Sequence, residues 1–274
     1  MLDYDKQGVG HSFYGFLPHL QELISRTLKS LAALLMGFVF SFLFQIKPFD
    51  PKWLPIELYY PYPDPFHSIT VQLIKNFEDR FLYNFRLINV NAYDAVYATL
   101  YVSFLVGLMI SMPYILYQIS AFVSPALTRS EKRLALKMIF PATLMFLAGI
   151  LFGYFYIIPL AFRVLYLFVV SLGVQPTLSI GSFVSLVLLY MLGFGIGFEL
   201  PVAMVALSSL GLVSPSQWTR YWRYGVLLSF VIALIISPGT GGGVNETIIG
   251  LSLSALYGAG AFVSRLVFPK KASV

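Results

Sequence analysis

Long uncharged apolar runs separated by short charged gaps set the pattern of this 274-residue chain. A transmembrane helix needs roughly 20 apolar residues, with about 17 to 25 tolerated. The uncharged intervals supply six such runs, at residues 30–46, 95–118, 138–162, 181–210, 224–237 and 247–264. The second is expected to end near Gln118, because Pro125 marks a loop beyond it. The pattern predicts an all-α integral membrane protein, a single membrane domain of six transmembrane helices. The fifth run, about fourteen residues, reaches only about 21 Å against a hydrocarbon core of about 30 Å. One account is a short fifth and sixth helical hairpin beside a locally thinned bilayer, and the other is a tilted helix extended by the interfacial "RYWRY".

The gaps then fix an orientation. Lys6, Arg26 and Lys29 precede the first run, Arg129, Lys132, Arg133 and Lys137 follow the second, Arg220 and Arg223 precede the fifth, and Arg265, Lys270 and Lys271 close the chain. An excess of Lys and Arg in short flanking segments marks the cytoplasmic side. Both termini (residues 1–29 at the amino end) and the loops 119–137 and 211–223 are therefore expected in the cytoplasm, with a long extracytoplasmic segment over 47–94. That segment opens with six prolines in "KPFDPKWLPIELYYPYPDPF", which predict an ordered, non-helical cap. Leu73, Phe77, Phe81, Phe85 and Ile88 then recur every three or four residues, the spacing of an interfacial amphipathic helix.

Composition agrees with a membrane protein: 58% of residues are hydrophobic and 11% charged, too few polar groups to cover a soluble globule. The net charge of +6 lies in the gaps rather than along one stripe, which fits topology signals and not nucleic-acid binding. The absence of cysteine excludes disulfides and thiolate chemistry. No cleavable signal is expected, because the first apolar run starts near residue 30 without a small-residue cleavage site.

Candidate chemistry is sparse. His11, His19 and His67 are widely separated, so neither a metal site nor a hydrolase site is expected, and "GTGGGVNET" lacks the Lys and strand context of a phosphate loop and reads as a turn. Gly149 and Gly153, like Gly193 and Gly197, have the spacing that lets helices approach closely. Three acids stand out. Glu199 sits inside the fourth apolar run, where a carboxylate has to be neutralised, paired or turned toward a polar cavity. Glu22 and Glu131 both fall on the predicted cytoplasmic side. Each reads alone as a solvated surface acid or one paired with Arg26 or Arg133, and together they would suit a cationic ligand, an Arg fork better than a Lys point charge.

Several stretches resemble the TatC family, the multispanning receptor subunit of the twin-arginine protein translocase. "HLQEL" at 19–23 is similar to its amino-terminal HLxEL signature, with Ile24 where the family usually has Arg. "PYILYQISAFVSPALTRSEKR" at 113–133 resembles its first cytoplasmic loop, "FLAGILFGYFYIIPLAF" at 146–162 its third span, and "GFGIGFELPV" at 193–202 its fourth. Between the last two spans, "SPGTGGGVNE" replaces the family's Pro-Pro-Asp type element and places Glu246 a little later.

The resemblance implies a receptor and channel scaffold in the cytoplasmic membrane of a prokaryote, without chemical catalysis or a cofactor. It implies that Glu22 and Glu131 bind the paired arginines of signal peptides on folded cargo. Phe122 and Pro125 would shape the loop that presents Glu131, and His19, Leu20 and Arg133 would lie beside it. Gln118 and Glu199 are the intramembrane polar positions. TatA-type and TatB-type single-span subunits, membrane lipid and further copies of the chain are the implied partners, and export would draw on the proton-motive force. The rival from another class is a proton-coupled secondary transporter using Glu199, although such proteins tend to show internal repeats that are not visible here.

Overall fold

A computed structural model of the chain describes residues 7–49, 58–82, 85–237 and 243–268. Its elements are α1 (Gln7–Leu43), β1 (Phe44–Phe49), β2 (Leu58–Pro63), α2 (Ile69–Phe81), β3 (Arg86–Ile88), α3 (Asp94–Val123), α4 (Arg129–Phe152), a π-helical turn (Gly153–Ile157), α5 (Ile158–Ser171), β4 (Thr177–Ser179), α6 (Ile180–Ser209), α7 (Pro215–Arg220), α8 (Trp222–Ile236) and α9 (Val244–Val267). Among the described residues five helices are long and apolar enough to cross a membrane, Pro18–Leu43, Asp94–Val123, Arg129–Ser171, Ile180–Ser209 and Val244–Val267. The shorter α8 makes the sixth apolar helix.

Most helix bounds extend past the apolar runs, because a helix does not stop where hydrocarbon does. The second span runs on to Val123 instead of ending at Gln118, and a 3₁₀ turn over Ser124–Ala126 absorbs Pro125. The first span gives way to strand at Phe44. At the third, Pro159 has no N–H for the carbonyl of residue 155 and its ring would clash there. The chain answers with the π turn, in which the Ile158 N–H reaches back to the Gly153 carbonyl.

Shortness is confined to the fifth span. The 15 residues of α8 reach only about 22 Å, whereas α9 has 24 residues. "RYWRY" does not lengthen α8 as one continuous helix, because the chain bends at Tyr221 between α7 and α8. Trp218 on α7 donates its indole N–H to Ser208 at 2.9 Å and accepts from the Tyr257 hydroxyl on its carbonyl at 2.7 Å, which pins this bend to α6 and α9.

The helices meet on small residues. A Cβ on Gly37 would lie 3.0 Å from the Cα of Gly107, so α1 and α3 touch backbone to backbone. A Cβ on Gly149 would lie 2.3 Å from the Phe194 carbonyl oxygen, and one on Gly153 3.2 Å from that of Tyr190. Cβ atoms on Gly193 and Gly197 would meet Ile236 and Leu253. Both glycine pairs singled out by spacing are thus packing positions. Phe146, Ile150, Phe183, Val187 and Phe194 are fully buried between α4 and α6.

The segment before α3 differs most from expectation. Residues 44–49 and 58–63, on either side of its undescribed middle, pair antiparallel, Phe44 with Pro63 and Lys47 with Tyr60. The helix predicted from Leu73 to Ile88 ends at Phe81. Phe85 lies beyond it and Ile88 belongs to β3, which pairs in parallel with β4. The apolar face of α2 is not laid on the membrane interface. Ile74, Phe77 and Phe81 are buried, with the Phe77 ring tilted against Tyr154 and the Phe81 ring stacked on Phe162. Aromatic side chains from the third span offer that face a protein partner, so burial there replaces lipid. The glycine-rich turn in "SPGTGGGVNE" falls on residues 238–242, outside the described residues.

Candidate functional site

The α1 and α3 helices run antiparallel in one constant register. Gly37 faces Gly107, the Ser41 hydroxyl donates to the Ser103 carbonyl at 3.3 Å, and the Arg26 Nη1 donates to the Gln118 side-chain oxygen at 3.4 Å. Continued one turn, this register sets Glu22 opposite Phe122 on the last turn of α3. The 3₁₀ turn carrying Pro125 follows at once, and then Glu131 in the first turn of α4. Antiparallel helices joined by so short a turn keep Glu22 and Glu131 at one end of the bundle.

Each acid is held by a neighbour. Both Arg26 bonds to Glu22, from Nε at 3.0 Å and from Nη2 at 2.7 Å, fall on Oε1, and the Arg26 and Glu22 side chains keep 25% and 31% of their accessible surface. Buried Gln118 steadies the guanidinium from α3. Glu131 is not paired with Arg133. It completes a capping box, with Oε2 accepting from the Thr128 N–H at 2.7 Å and hydroxyl at 2.8 Å, while its own N–H donates to the Thr128 hydroxyl. The sequence "TRSE" carries that S/T-x-x-E signal, and Thr128 is the residue missed by looking only for charges. Thr128→Val will cost about 1 kcal/mol of stability by removing this cap, and Thr128→Ser will not. Thermal unfolding of the two purified variants checks it. His19, Leu20, Pro125 and Arg133 are exposed around the two acids, and Phe122 is half-buried.

Glu199 lies elsewhere. It lines a groove of about 560 Å³ between α6, α8 and α9, whose other polar lining residues are Trp218, Ser229 and Tyr257. The groove exists because α8 packs mainly on α9 and stands away from α6. The Glu199 Oε1 is buried and has no hydrogen-bond partner among the described residues. Glu246 is buried in the first turn of α9, 3.4 Å from the Ser237 hydroxyl, which in turn lies 3.2 Å from that of Tyr190.

Residues 18–245 match the model of the family "Sec-independent protein translocase protein (TatC)". The chain belongs to the TatC family. A TatC from Cenarchaeum symbiosum is 33% identical over 248 residues, covering 90% of this chain and 93% of the relative. One from Aquifex aeolicus is 30% identical over 261 residues, covering 93% and 97%. A crystal structure of the twin arginine translocase receptor TatC superposes with a TM-score of 0.71 at 28% identity, over 90% of this chain and 98% of that one. The chain is thus a multi-pass protein of the plasma membrane and a member of a protein-translocase family. Glu22, Glu131 and Glu199 all lie within the matched residues.

Proposed function

We propose that this chain is the signal-peptide receptor and core subunit of a twin-arginine translocase, exporting folded proteins on the proton-motive force and without chemical catalysis of its own. The observation that carries the reading is the placement of two partly accessible carboxylates, Glu22 and Glu131, at one end of the helix bundle. The Lys and Arg distribution supports a cytoplasmic position for that end and for both termini. Phe122 and Pro125 shape the turn that sets the two acids, and His19, Leu20 and Arg133 form its rim. Gln118 supports the site from beneath through Arg26.

Both acids are preorganised by donors that an incoming guanidinium can replace or join. A planar Arg fork satisfies a carboxylate through two parallel bonds, which an ammonium cannot do. The groove beside Glu199 suits a single-span TatA-type or TatB-type helix that offers a polar side chain to the unpartnered Oε1. Lipid and further copies of the chain complete the assembly.

The test is binding of a signal peptide carrying Arg-Arg against its Lys-Lys version, measured with the full-length protein in lipid nanodiscs. The Arg-Arg peptide will bind about ten-fold more tightly. Equal affinity for the two peptides overturns the receptor reading, and a transporter working through Glu199 would give that result.

A further inference from the structure

At the end of the bundle away from Glu22 and Glu131, α2 and α5 line an open cavity that carries two cations. Thr70 near the start of α2 donates its hydroxyl to the Ser41 carbonyl at 3.0 Å, which fixes α2 at the end of α1. Arg80 near the end of α2 and Arg163 on α5 line one cavity of about 350 Å³, a size typical of small-molecule pockets, at about 300 Å³ and above. Phe85, Phe162 and Leu167 make its apolar wall, and Tyr166 adds a phenol.

Among the described residues the two guanidiniums have no counter-charge. Among the described residues neither enters an ion pair, and no Asp or Glu lines the cavity. Glu78 and Asp79 precede Arg80 but are exposed, and side chains one or two positions apart on a helix do not face each other. The Arg80 guanidinium is nonetheless held in place, 4.9 Å from the ring centre of Tyr154 and 4.8 Å from that of Phe155. Cation–π contacts orient a cation without neutralising it. Arg163 stands about two helical turns before α5 ends at Ser171, near one end of the third span, where an exposed Arg side chain can reach the level of the lipid headgroups. Exposed Leu167 and Phe168 follow it on the same helix and face outward.

We propose that the cavity of Arg80 and Arg163 binds the phosphate group of an anionic phospholipid, with an acyl chain along Phe85, Phe162 and Leu167. Two guanidiniums supply the bidentate donors that a phosphate accepts. The apolar wall and the position at the bilayer edge select a lipid phosphate over a free one. The site is independent of the receptor reading, since it uses none of those residues.

Native mass spectrometry of the delipidated full-length protein tests it, with phosphatidylglycerol and a phosphate-free galactolipid titrated separately and inorganic phosphate added as competitor. Phosphatidylglycerol will bind about ten-fold more tightly than the galactolipid. Arg80→Gln with Arg163→Gln will erase that preference, while Lys at both positions will keep part of it. Arg163 is exposed, so Arg163→Gln alone tests the same point without disturbing packing and will weaken phosphatidylglycerol several-fold. An unchanged preference in the Gln variants overturns the proposal, and so does displacement of the lipid by millimolar inorganic phosphate.

Discussion

Replacing both carboxylates by amides, Glu22→Gln with Glu131→Gln, will abolish high-affinity binding of an Arg-Arg signal peptide while leaving the fold intact. Amides are the right probe because they keep the local bonds. Gln at the third helical position completes a capping box as Glu does, so Thr128 retains its partner and α4 its start. In the Glu22→Gln variant the side-chain amide still offers an oxygen to Arg26, whose Nη1 keeps its bond to Gln118. What disappears is charge. Hydrogen bonds between ionised partners contribute about 1.5 to 3 kcal/mol each, against about 1 for neutral ones. Exchanging two such contacts for neutral ones therefore weakens binding by roughly 1 to 4 kcal/mol, the middle of that range being on the order of a hundred-fold.

The controls distinguish this from simple unfolding. Glu131→Ala loses the cap as well as the charge, so its melting temperature will fall while that of Glu131→Gln will not. The single amide variants will each show an intermediate loss, and if both acids grip one guanidinium pair the losses will not add. Fluorescence anisotropy of a labelled peptide, read beside a thermal melt of each variant, is sufficient. Wild-type affinity in the double amide variant, with an unchanged melt, removes these acids from recognition.

How much of this is legible in the sequence depends on the kind of signal. Spans are written in charge, and lipid forbids unpaired backbone, so apolar runs translate almost directly into helices. The run from 181 to 210 corresponds to α6 nearly residue for residue. Glycine spacing announces helix contacts, because only a missing Cβ allows such approach. Pairwise geometry is not legible. The register that aligns Glu22 with Phe122 and the link from Arg26 to Gln118 join residues about ninety to a hundred positions apart. The groove at Glu199 depends on α8 leaning toward α9. Periodicity misleads at α2, where the apolar repeat carries one helical face through Phe85 and Ile88. The repeat continues past the helix end because Phe85 still packs, with its ring 6.0 Å from that of Phe162, although from outside the helix. The pairing of β1 with β2 escapes because Pro usually argues against strands except at edges, and a two-stranded ribbon is all edge.

The tightest contact in the bundle makes the strongest prediction about stability. Gly149 lies where α4 crosses α6, and an added Cβ would sit 2.3 Å from the Phe194 carbonyl oxygen, 2.8 Å from its carbonyl carbon and 2.9 Å from the Gly195 Cα. All three are backbone atoms of a helix, so no rotamer change relieves the overlap and the two helices have to separate. Overpacking costs about 1 to 3 kcal/mol where side chains can yield, and Gly149→Ala should reach at least the upper end of that range. Gly149→Val will go further, to loss of folded protein from the membrane fraction. Separation also strips Phe146, Ile150 and Phe194 of the neighbours that bury them completely. Helix propensity pushes the other way, since Ala is favoured over Gly by about 1 kcal/mol in a helix interior. Gly258 on α9 isolates that opposing effect, because a Cβ there meets nothing within 4 Å. Gly258→Ala will therefore melt at or slightly above the wild type, while Gly149→Ala melts well below it. Equal melting of the two variants in the same detergent means that α4 and α6 are not packed as closely as this contact requires.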